Sequence, residues 1–171
     1  MLVENIKQIF LIGMMGSGKS TLGSMLADKL NWTFIDIDTE LEKDHGLSIN
    51  DMFKKSESKF RTLESKKLEK IISKERIVCA TGGGIVEKDV NHKILKQSFC
   101  VYLDTSIDVL HERVKHDSNR PLLLKGDKKD VLRDIFKSRE KKYKSLSKLN
   151  INTDNIDISD SCKMIMEFIN E

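Results

Sequence analysis

The sequence predicts an α/β fold, an open parallel sheet that carries helices on both faces. Short apolar runs rich in β-branched residues alternate with helical or polar stretches along the chain. This alternation is typical of right-handed strand–helix–strand units, which build a parallel sheet and place ligands beyond the carboxyl ends of its strands. The 171 residues, of which 39% are hydrophobic and 33% charged, are enough for one compact domain with its own core.

The first three predicted elements are a strand, a helix and a second strand. Residues 6–12 (IKQIFLI) form an apolar run that ends at Gly13, as expected of a strand buried on both faces. Apolar residues at helical spacing then predict a helix that begins near Gly18 and ends before Asn31. These residues are Leu22, Met25, Leu26 and Leu30. Residues 33–37 predict the second strand.

The rest of the chain continues the alternation. Three further strands are predicted at 77–80, 99–103 and 149–152. Helical patterns cover about 58–73 and 128–147. The polar stretch 115–129 contains the single proline, Pro121, and is predicted to be a mobile lid.

Composition argues against several classes of protein. The 30 basic and 27 acidic residues leave a formal charge of +3, too small to indicate nucleic acid or a membrane as partner. Residues 1–5 lack the regions of an export signal, and every apolar run is shorter than the roughly 20 residues of a membrane span. We therefore expect a soluble, cytoplasmic protein.

The three cysteines, Cys79, Cys100 and Cys162, have no metal-like spacing. The first two lie in apolar strand-like runs, where a free thiol behaves as a small hydrophobic group. We predict reduced core thiols, with a reactive or disulfide-bonded role as the alternative.

A phosphate-binding motif follows the first predicted strand. Residues 13–20 (GMMGSGKS) fit G-x-x-x-x-G-K-[ST] and precede the first predicted helix. The glycines let the backbone curl, so that its N–H groups and the helix N-terminus face phosphate oxygens. Lys19 is expected to reach the β- and γ-phosphates, and the Ser20 hydroxyl to bind Mg²⁺. The alternative is a glycine-rich turn that binds nothing.

Two carboxylates end the second predicted strand. Because side chains alternate along a strand, we expect Asp36 and Asp38 on one side and Ile37 on the other. One carboxylate can hold the waters of Mg²⁺, and the other can accept a proton from an attacking hydroxyl. The alternative for Asp38 is a helix N-cap before residues 39–42, and the two roles are compatible.

Two arginines are predicted to point inward. Arg139 shares one helix face with apolar residues, and Arg61 lies at the margin of the apolar face of helix 58–73. The apolar residues that share the face of Arg139 are Leu132, Phe136, Tyr143 and Leu146. Two inward guanidinium groups indicate an anionic substrate. We expect it to carry a carboxylate, because the planar donors of a guanidinium group match that group. Alternatively, each arginine extends to solvent or forms an ion pair. Glu64 is expected to pair with Arg61 in either case.

Two more features are expected at the site. Arg120, which precedes Pro121 in the predicted lid, can close over the phosphates and stabilise the transferring group, or it can be a solvated loop arginine. Residues 82–84 (GGG) follow the third predicted strand and let backbone N–H groups approach a ligand closely, unless they form a flexible turn.

Six separated motifs together resemble the shikimate kinase family, in order and spacing, over nearly the whole chain. They are GMMGSGKST at 13–21, DID at 36–38, FR at 60–61, GGG at 82–84, RPLL at 120–123 and R-x-x-x-Y at 139–143. The resemblance implies a five-stranded parallel sheet of the P-loop nucleoside-monophosphate-kinase-like type. It also implies transfer of the ATP γ-phosphoryl group to the 3-hydroxyl of shikimate, in chorismate and aromatic amino-acid biosynthesis.

The resemblance also implies roles for individual residues. Lys19, Asp38 and Arg120 would be catalytic, and Ser20 and Asp36 would hold Mg²⁺. ATP would be bound by Gly16, Ser17, Gly18, Lys19, Ser20, Thr21, Arg113 and Arg120. Shikimate would be bound by Asp38, Phe53, Phe60, Arg61, Gly82, Gly83, Gly84 and Arg139. Asp38 would meet the substrate hydroxyls, Arg61 and Arg139 would clamp the carboxylate, and Arg113 would pack on adenine.

The implied organisation is a single kinase domain, 1–171, with a lid at about 115–129 and a substrate-binding helical region at about 38–73. A monomer is expected. Residues 152–155 (NTDN) depart from the family, because the basic residue that some members carry in the adenine loop is absent. Base contacts of this loop, near Asp154, are therefore left open.

Other functions fit the sequence less well. A gluconate or nucleoside-monophosphate kinase could use the same scaffold, but paired inward arginines with DID and GGG disfavour it. A regulatory P-loop switch or motor ATPase would need an N-K-x-D motif or an apolar strand that ends in Asp-Glu, and the sequence has neither. A nucleic-acid-binding module would need a basic stripe interleaved with aromatic residues.

Overall fold

Five parallel strands form one sheet in the computed structural model, which describes residues 6–117, 120–124 and 126–170. The strands are β1 (Gln8–Ile12), β2 (Thr33–Asp36), β3 (Ile77–Ala80), β4 (Phe99–Asp104) and β5 (Leu149–Asn152). Their spatial order is β2-β3-β1-β4-β5, and every neighbouring pair runs parallel. The predicted five-stranded parallel α/β sheet is confirmed.

Helices connect the strands, because parallel neighbours cannot be joined by a tight turn. Those in the described residues are α1 (Lys19–Leu30), α2 (Ile37–His45), α3 (Ile49–Lys55), α4 (Glu57–Ile71), α5 (Asp89–Lys96), α6 (Ile107–Val114), α7 (Lys128–Leu146) and α8 (Ile158–Asn170). Short 3₁₀ turns occupy Ile85–Glu87 and Pro121–Leu124. The predicted bounds of the strands and of the helices at 18–31, 58–73 and 128–147 lie within two residues of these.

The central strand β1 separates two hydrophobic cores. Ile9 and Leu11 face a core completed by α1 and α8, whereas Phe10 and Ile12 face a core completed mainly by α2, α4, α5 and α7. All four side chains are fully buried. Burial on both faces explains why this strand is a continuous apolar run rather than an alternating one.

The three cysteines belong to these cores. Cys79, Cys100 and Cys162 are buried and free, as predicted. Burial raises the pKa of the Cys100 thiol to about 12. Thiols in such surroundings pack as small apolar groups and are poor nucleophiles.

Strand β2 ends earlier than predicted. It stops at Asp36, and Ile37 begins α2. The Asp36 carboxylate accepts hydrogen bonds from the backbone N–H groups of Asp38 and Thr39 at 3.1 and 3.2 Å, which makes Asp36 the N-cap. A capping carboxylate favours helix over strand at this point. The prediction that Asp36, Ile37 and Asp38 alternate as in a strand was therefore wrong, and the alternative in which Asp38 is the N-cap does not hold, because Asp36 takes that position.

The predicted lid at 115–129 is described only in part, since residues 118–119 and 125 lie outside the described residues. Its movement stays a prediction. Residues 1–5, on which the expectation about export signals depends, also lie outside. None of the described helices is both long and apolar enough to cross a membrane.

Candidate active site

The glycine-rich loop between β1 and α1 adopts the curled backbone that the motif predicts. Gly13, Gly16 and Gly18 have φ angles of 142°, 81° and 93°, in the range that favours glycine. A Cβ on Gly16 would come within 2.7 Å of a methyl group of Val114. Gly18 is the N-cap of α1, so the positive end of this helix faces the concavity of the loop.

Lys19 begins α1 and folds back over this loop. Its ammonium group donates to the carbonyl oxygens of Gly13 and Met14 at 3.0 and 2.7 Å. The pKa of Lys19 is lowered to about 8, first because burial removes water from the ammonium group and then because of the Arg120 charge. The carboxylates of Asp38 and Asp36 act in the opposite direction. A desolvated cation at this position favours an anionic ligand.

Ser20 and Asp36 meet at the end of β2. The Ser20 hydroxyl donates to Asp36 Oδ2 at 2.5 Å, while Asp36 Oδ1 caps α2. A hydroxyl and a carboxylate side by side are hard oxygen donors of the kind Mg²⁺ prefers. Among the described residues no cluster of three or more acidic, histidine or cysteine side chains could hold a metal. Such a sparse donor set fits Mg²⁺, which is usually bound by one or two protein ligands together with substrate phosphates.

Asp38 lies in the first turn of α2. Its Oδ1 atom is buried and has no hydrogen-bond partner among the described residues. Burial and the neighbouring Asp36 carboxylate raise the pKa of Asp38, although Lys19 and Arg61 oppose the shift. A buried carboxylate with a raised pKa and a free acceptor atom is suited to accept a proton.

Arg61 points inward from α4, as predicted. It is 6% exposed and donates to Glu64 Oε2 at 2.9 Å, which confirms the predicted pairing. Its guanidinium carbon lies 5.4 and 5.3 Å from the ring centroids of Phe53 and Phe60. Glu64 is fully buried, and burial raises its pKa although Arg61 opposes the shift.

Arg139 also points inward, from α7, and is 5% exposed. Its Nε donates to Glu87 Oε1 at 2.5 Å, and Lys142 lies 3.2 Å from the other carboxylate oxygen of Glu87. Burial acts against ionisation of Glu87, but the hydrogen bond and charge of Arg139, followed by those of Lys142, outweigh it and lower its pKa. The two arginines are therefore each held by an acidic side chain.

Close packing explains two of the three glycines at 82–84. A Cβ on Gly82 would lie 2.5 Å from Glu64 Oε1 and 3.1 Å from Asp38 Oδ1. A Cβ on Gly84 would overlap the guanidinium group of Arg61. Any larger residue here would displace the charged side chains of the site.

The third glycine is held by a hydrogen bond. Tyr143 donates its hydroxyl to the carbonyl oxygen of Gly83 at 2.5 Å, and its ring stacks on Tyr102 with centroids 5.2 Å apart. Burial raises the pKa of Tyr143 to about 12, so it remains a donor at neutral pH. α7 therefore fixes both Arg139 and the glycine turn.

These side chains line two adjoining cavities. The first cavity, of about 630 Å³, is lined by every residue predicted to bind ATP or metal, namely Gly16, Ser17, Gly18, Lys19, Ser20, Thr21, Asp36, Arg113 and Arg120. The second cavity, of about 230 Å³, is lined by every residue predicted to bind the acceptor, namely Asp38, Phe53, Phe60, Arg61, Gly82, Gly83, Gly84 and Arg139. Met15, Asp38, Gly83 and Arg120 line both cavities.

Arg120 lies where the two cavities meet. Its Nε donates to Asp117 Oδ2 at 2.8 Å, and 35% of its side chain is exposed. It therefore lies within reach of both cavities, and its charge contributes to the lowered pKa of Lys19.

The far end of the first cavity is built around Arg113. Its guanidinium group donates to the carbonyl oxygens of Gly16 and Thr153, at 3.3 and 3.1 Å. Asp154 accepts a hydrogen bond from the backbone N–H of Ser106 at 2.8 Å. Asp154 therefore anchors the β5–α8 loop to the start of α6.

Comparison with known proteins agrees with this geometry. The model of the family described as shikimate kinase matches residues 15–170. The chain belongs to the shikimate kinase family. It is 42% identical over 140 residues to the shikimate kinase of Persephonella marina, covering 81% of this chain and 84% of that one.

Solved structures extend the comparison. A shikimate kinase from Acinetobacter baumannii in complex with shikimate matches with a TM-score of 0.93 and 36% identity, over 97% of this chain and 94% of that chain. A gluconokinase from Sinorhizobium meliloti 1021 matches with a TM-score of 0.62 and 18% identity, over 95% and 91% of the two chains, which shows a common fold alone. As a member of the shikimate kinase family, the chain is an ATP-dependent phosphotransferase.

Three residues of this shikimate kinase family site were not predicted. Glu87 holds Arg139 from 52 residues away, and no local pattern signals that contact. Tyr143 was predicted on an apolar helix face and in the R-x-x-x-Y motif, but without a role in the site, whereas its hydroxyl fixes Gly83. Met15 occupies a variable position of the phosphate motif and lines both cavities.

Proposed function

We propose that the protein transfers the γ-phosphoryl group of ATP to the 3-hydroxyl of shikimate, with ATP in the first cavity and shikimate in the second. The observation that supports this most is the shared wall of the two cavities. Asp38, Gly83 and Arg120 line both, so a phosphate in one and a hydroxyl in the other would meet at these residues. Phosphoryl transfer depends mainly on such positioning and on charge stabilisation.

On the donor side, the loop N–H groups, the α1 N-terminus and Lys19 would bind the β- and γ-phosphates. Displacing its bonds to Gly13 and Met14 would free the Lys19 ammonium group for phosphate oxygens. Ser20 and Asp36 would hold Mg²⁺ with its waters, and the bound ion would neutralise charge on the phosphates. Arg113 would pack on the adenine ring.

On the acceptor side, Arg61 and Arg139 would bind the carboxylate of shikimate. Guanidinium groups offer planar pairs of donors that match a carboxylate. Phe53 and Phe60 would flank the ring, and residues 82–84 would approach it through their backbone. A Cβ on Gly82 or Gly84 would collide with Asp38 or Arg61, so glycine at these positions keeps both side chains in place for the substrate.

The transfer would begin at Asp38. Its partnerless Oδ1 would accept a hydrogen bond from the 3-hydroxyl and take its proton as the hydroxyl oxygen bonds to the γ-phosphorus. The bond between the γ-phosphorus and the bridging oxygen of ADP breaks, and ADP leaves with the electron pair. Lys19 and Arg120 would stabilise the negative charge on the transferring group.

An acceptor panel tests this proposal. ADP release is measured with shikimate, gluconate and nucleoside monophosphates, each at the same concentration, and with no acceptor. We expect turnover with shikimate well above every other condition, because only shikimate presents both a carboxylate and a correctly spaced ring hydroxyl. Preference for gluconate or a nucleotide would contradict the proposal. Action as a monomer in the cytoplasm, without nucleic acid or a membrane, stays a prediction.

A further inference from the structure

The contact between Glu87 and Arg139 joins two elements that are distant in sequence. Glu87 ends the 3₁₀ turn that follows the glycines at 82–84, and Arg139 lies in the middle of α7. The Arg139 side chain is 6% exposed and that of Glu87 is 31% exposed. The pair therefore lies at the rim of the second cavity, with the guanidinium group on the inner side.

The two edges of the Arg139 guanidinium group have different surroundings. Glu87 accepts from Nε, whereas the buried Nη1 has no hydrogen-bond partner among the described residues. A buried donor left without a partner costs free energy unless a ligand or water satisfies it. Glu87 thus occupies one edge of Arg139, a residue that lines the second cavity, and leaves Nη1 available to a ligand.

We propose that Glu87 is a positioning residue for the acceptor carboxylate: it holds the Nε edge of Arg139 and thereby directs the partnerless Nη1 toward the substrate. This inference rests on the proposed function, in which Arg139 binds that carboxylate. It assigns to Glu87 an effect on the acceptor alone, because in the described part of the chain Glu87 lines neither cavity and its side-chain polar contacts are with Arg139 and Lys142.

Two physical effects of Glu87 oppose each other. Its negative charge weakens the attraction of the site for an anion, whereas its hydrogen bond fixes a side chain that otherwise has several rotamers. Lys142 offsets much of the charge effect, because its ammonium group lies 3.2 Å from the second carboxylate oxygen of Glu87. With the charge offset, orientation dominates, and the loss of Glu87 should weaken acceptor binding.

The test compares Glu87→Ala with Glu140→Ala. Glu140 is a matched control, because it is the next residue on α7 and pairs with Lys144 away from the cavities. We expect Glu87→Ala to raise KM for shikimate about tenfold, in line with a charge-assisted hydrogen bond. KM for ATP should stay within about twofold, and Glu140→Ala should change neither constant by more than that. An unchanged or lower KM for shikimate, or equal increases for both substrates, overturns the proposal.

Adding Arg139→Ala separates this inference from the proposed function. If Glu87 acts through Arg139, Glu87→Ala should have no further effect on KM for shikimate in the Arg139→Ala background. Additive effects overturn the positioning role. If Arg139→Ala alone leaves KM for shikimate unchanged, the assigned role of Arg139 fails, and Glu87 loses its proposed role with it.

A second variant keeps the test available if Glu87→Ala does not fold. Glu87→Gln keeps the length of the side chain and one oxygen acceptor but removes the charge. A selective rise of threefold or more in KM for shikimate supports the proposal. No selective rise in a folded Glu87→Gln protein, with Glu87→Ala unfolded, assigns Glu87 to stability alone and overturns it.

Discussion

The two cavities of the site are built in different ways. The first cavity depends largely on one continuous segment, 13–21, whose backbone N–H groups and helix N-terminus need only glycine, lysine and serine at fixed positions. The second cavity takes side chains from α2, α3, α4 and α7, and backbone from the glycine turn after β3. Its two arginines are held by acidic partners, Glu64 and Glu87.

This difference indicates that phosphoryl transfer and the choice of acceptor depend on different parts of the site. Phosphate binding by local backbone serves many enzymes with different acceptors. The second cavity, where we propose that the acceptor binds, depends instead on contacts between distant elements. Changes in the first cavity should therefore affect turnover, whereas changes in the second should affect binding of the acceptor.

The largest effect is expected from Lys19→Met. Methionine is unbranched and only one atom shorter, and it lacks the ammonium group that we propose binds the phosphates. We expect kcat to fall on the order of 10³–10⁵, since charge stabilisation dominates phosphoryl transfer. Steady-state kinetics measure kcat, and thermal unfolding shows whether the variant is folded. The control is Lys29→Met, at an exposed position at the other end of α1. Near-normal turnover in a folded Lys19→Met protein would refute the role of Lys19.

The next largest effect is expected from Asp38→Asn. This residue lines both cavities. We expect kcat to fall by about 10²–10⁴, the usual contribution of a general base. Because the pKa of Asp38 is raised, wild-type kcat/KM for shikimate should decline as pH falls through that pKa, where the carboxylate gains a proton. The variant should lose this decline.

The control for Asp38→Asn is Asp44→Asn, on the exposed side of the same helix. It should retain the turnover and the acid limb of the wild type. An unaltered acid limb in Asp38→Asn would show that another group titrates there, and the proposed base would be wrong.

Arg61→Ala should have a smaller and more selective effect. Removing one charged partner of the carboxylate should raise KM for shikimate about 10- to 100-fold, with KM for ATP changed by less than about threefold. Arg133→Ala, an exposed ion-paired residue of α7, is the control. Equal losses for both substrates would mean that Arg61 supports the structure of the whole site, and the contrast between the cavities would fail.

The smallest effect is expected in the pH dependence of kcat/KM for ATP at alkaline pH. The pKa of Lys19 is lowered to about 8, so the free enzyme loses its ammonium charge as pH rises through that value. We expect kcat/KM for ATP to fall about tenfold for each pH unit above it, and kcat to fall less, because bound phosphates favour the charged form. A flat profile up to pH 10 would contradict the burial of this charge.

The contrast between a locally built first cavity and a second cavity built from distant elements explains which features the sequence predicted. The phosphate loop was predicted fully because G-x-x-x-x-G-K-[ST] determines its own local backbone. The strands were found because β1, β3 and β4 are buried on both faces and form apolar runs. The end of β2 was missed, since capping of α2 by Asp36 decided the structure of Ile37 and Asp38.

In the second cavity the sequence identified the arginines but not what orients them. Arg61 pairs with Glu64 three residues away, which helix periodicity predicts. Arg139 pairs with Glu87 through a contact between distant segments, and Tyr143 reaches Gly83 in the same way. Contacts of this kind follow from the packing of α7 against the turn after β3 and have no signature in a single sequence.

The most direct test of the account follows the γ-phosphoryl group itself. The enzyme is incubated with ATP, Mg²⁺ and shikimate, and the products are identified by ³¹P and ¹H NMR spectroscopy. The account predicts one shikimate 3-phosphate for each ADP formed, and little ADP without shikimate. Equal ADP formation with and without shikimate, or a phosphate on another oxygen, would contradict the proposal that the two cavities join a nucleotide and an acceptor at Asp38.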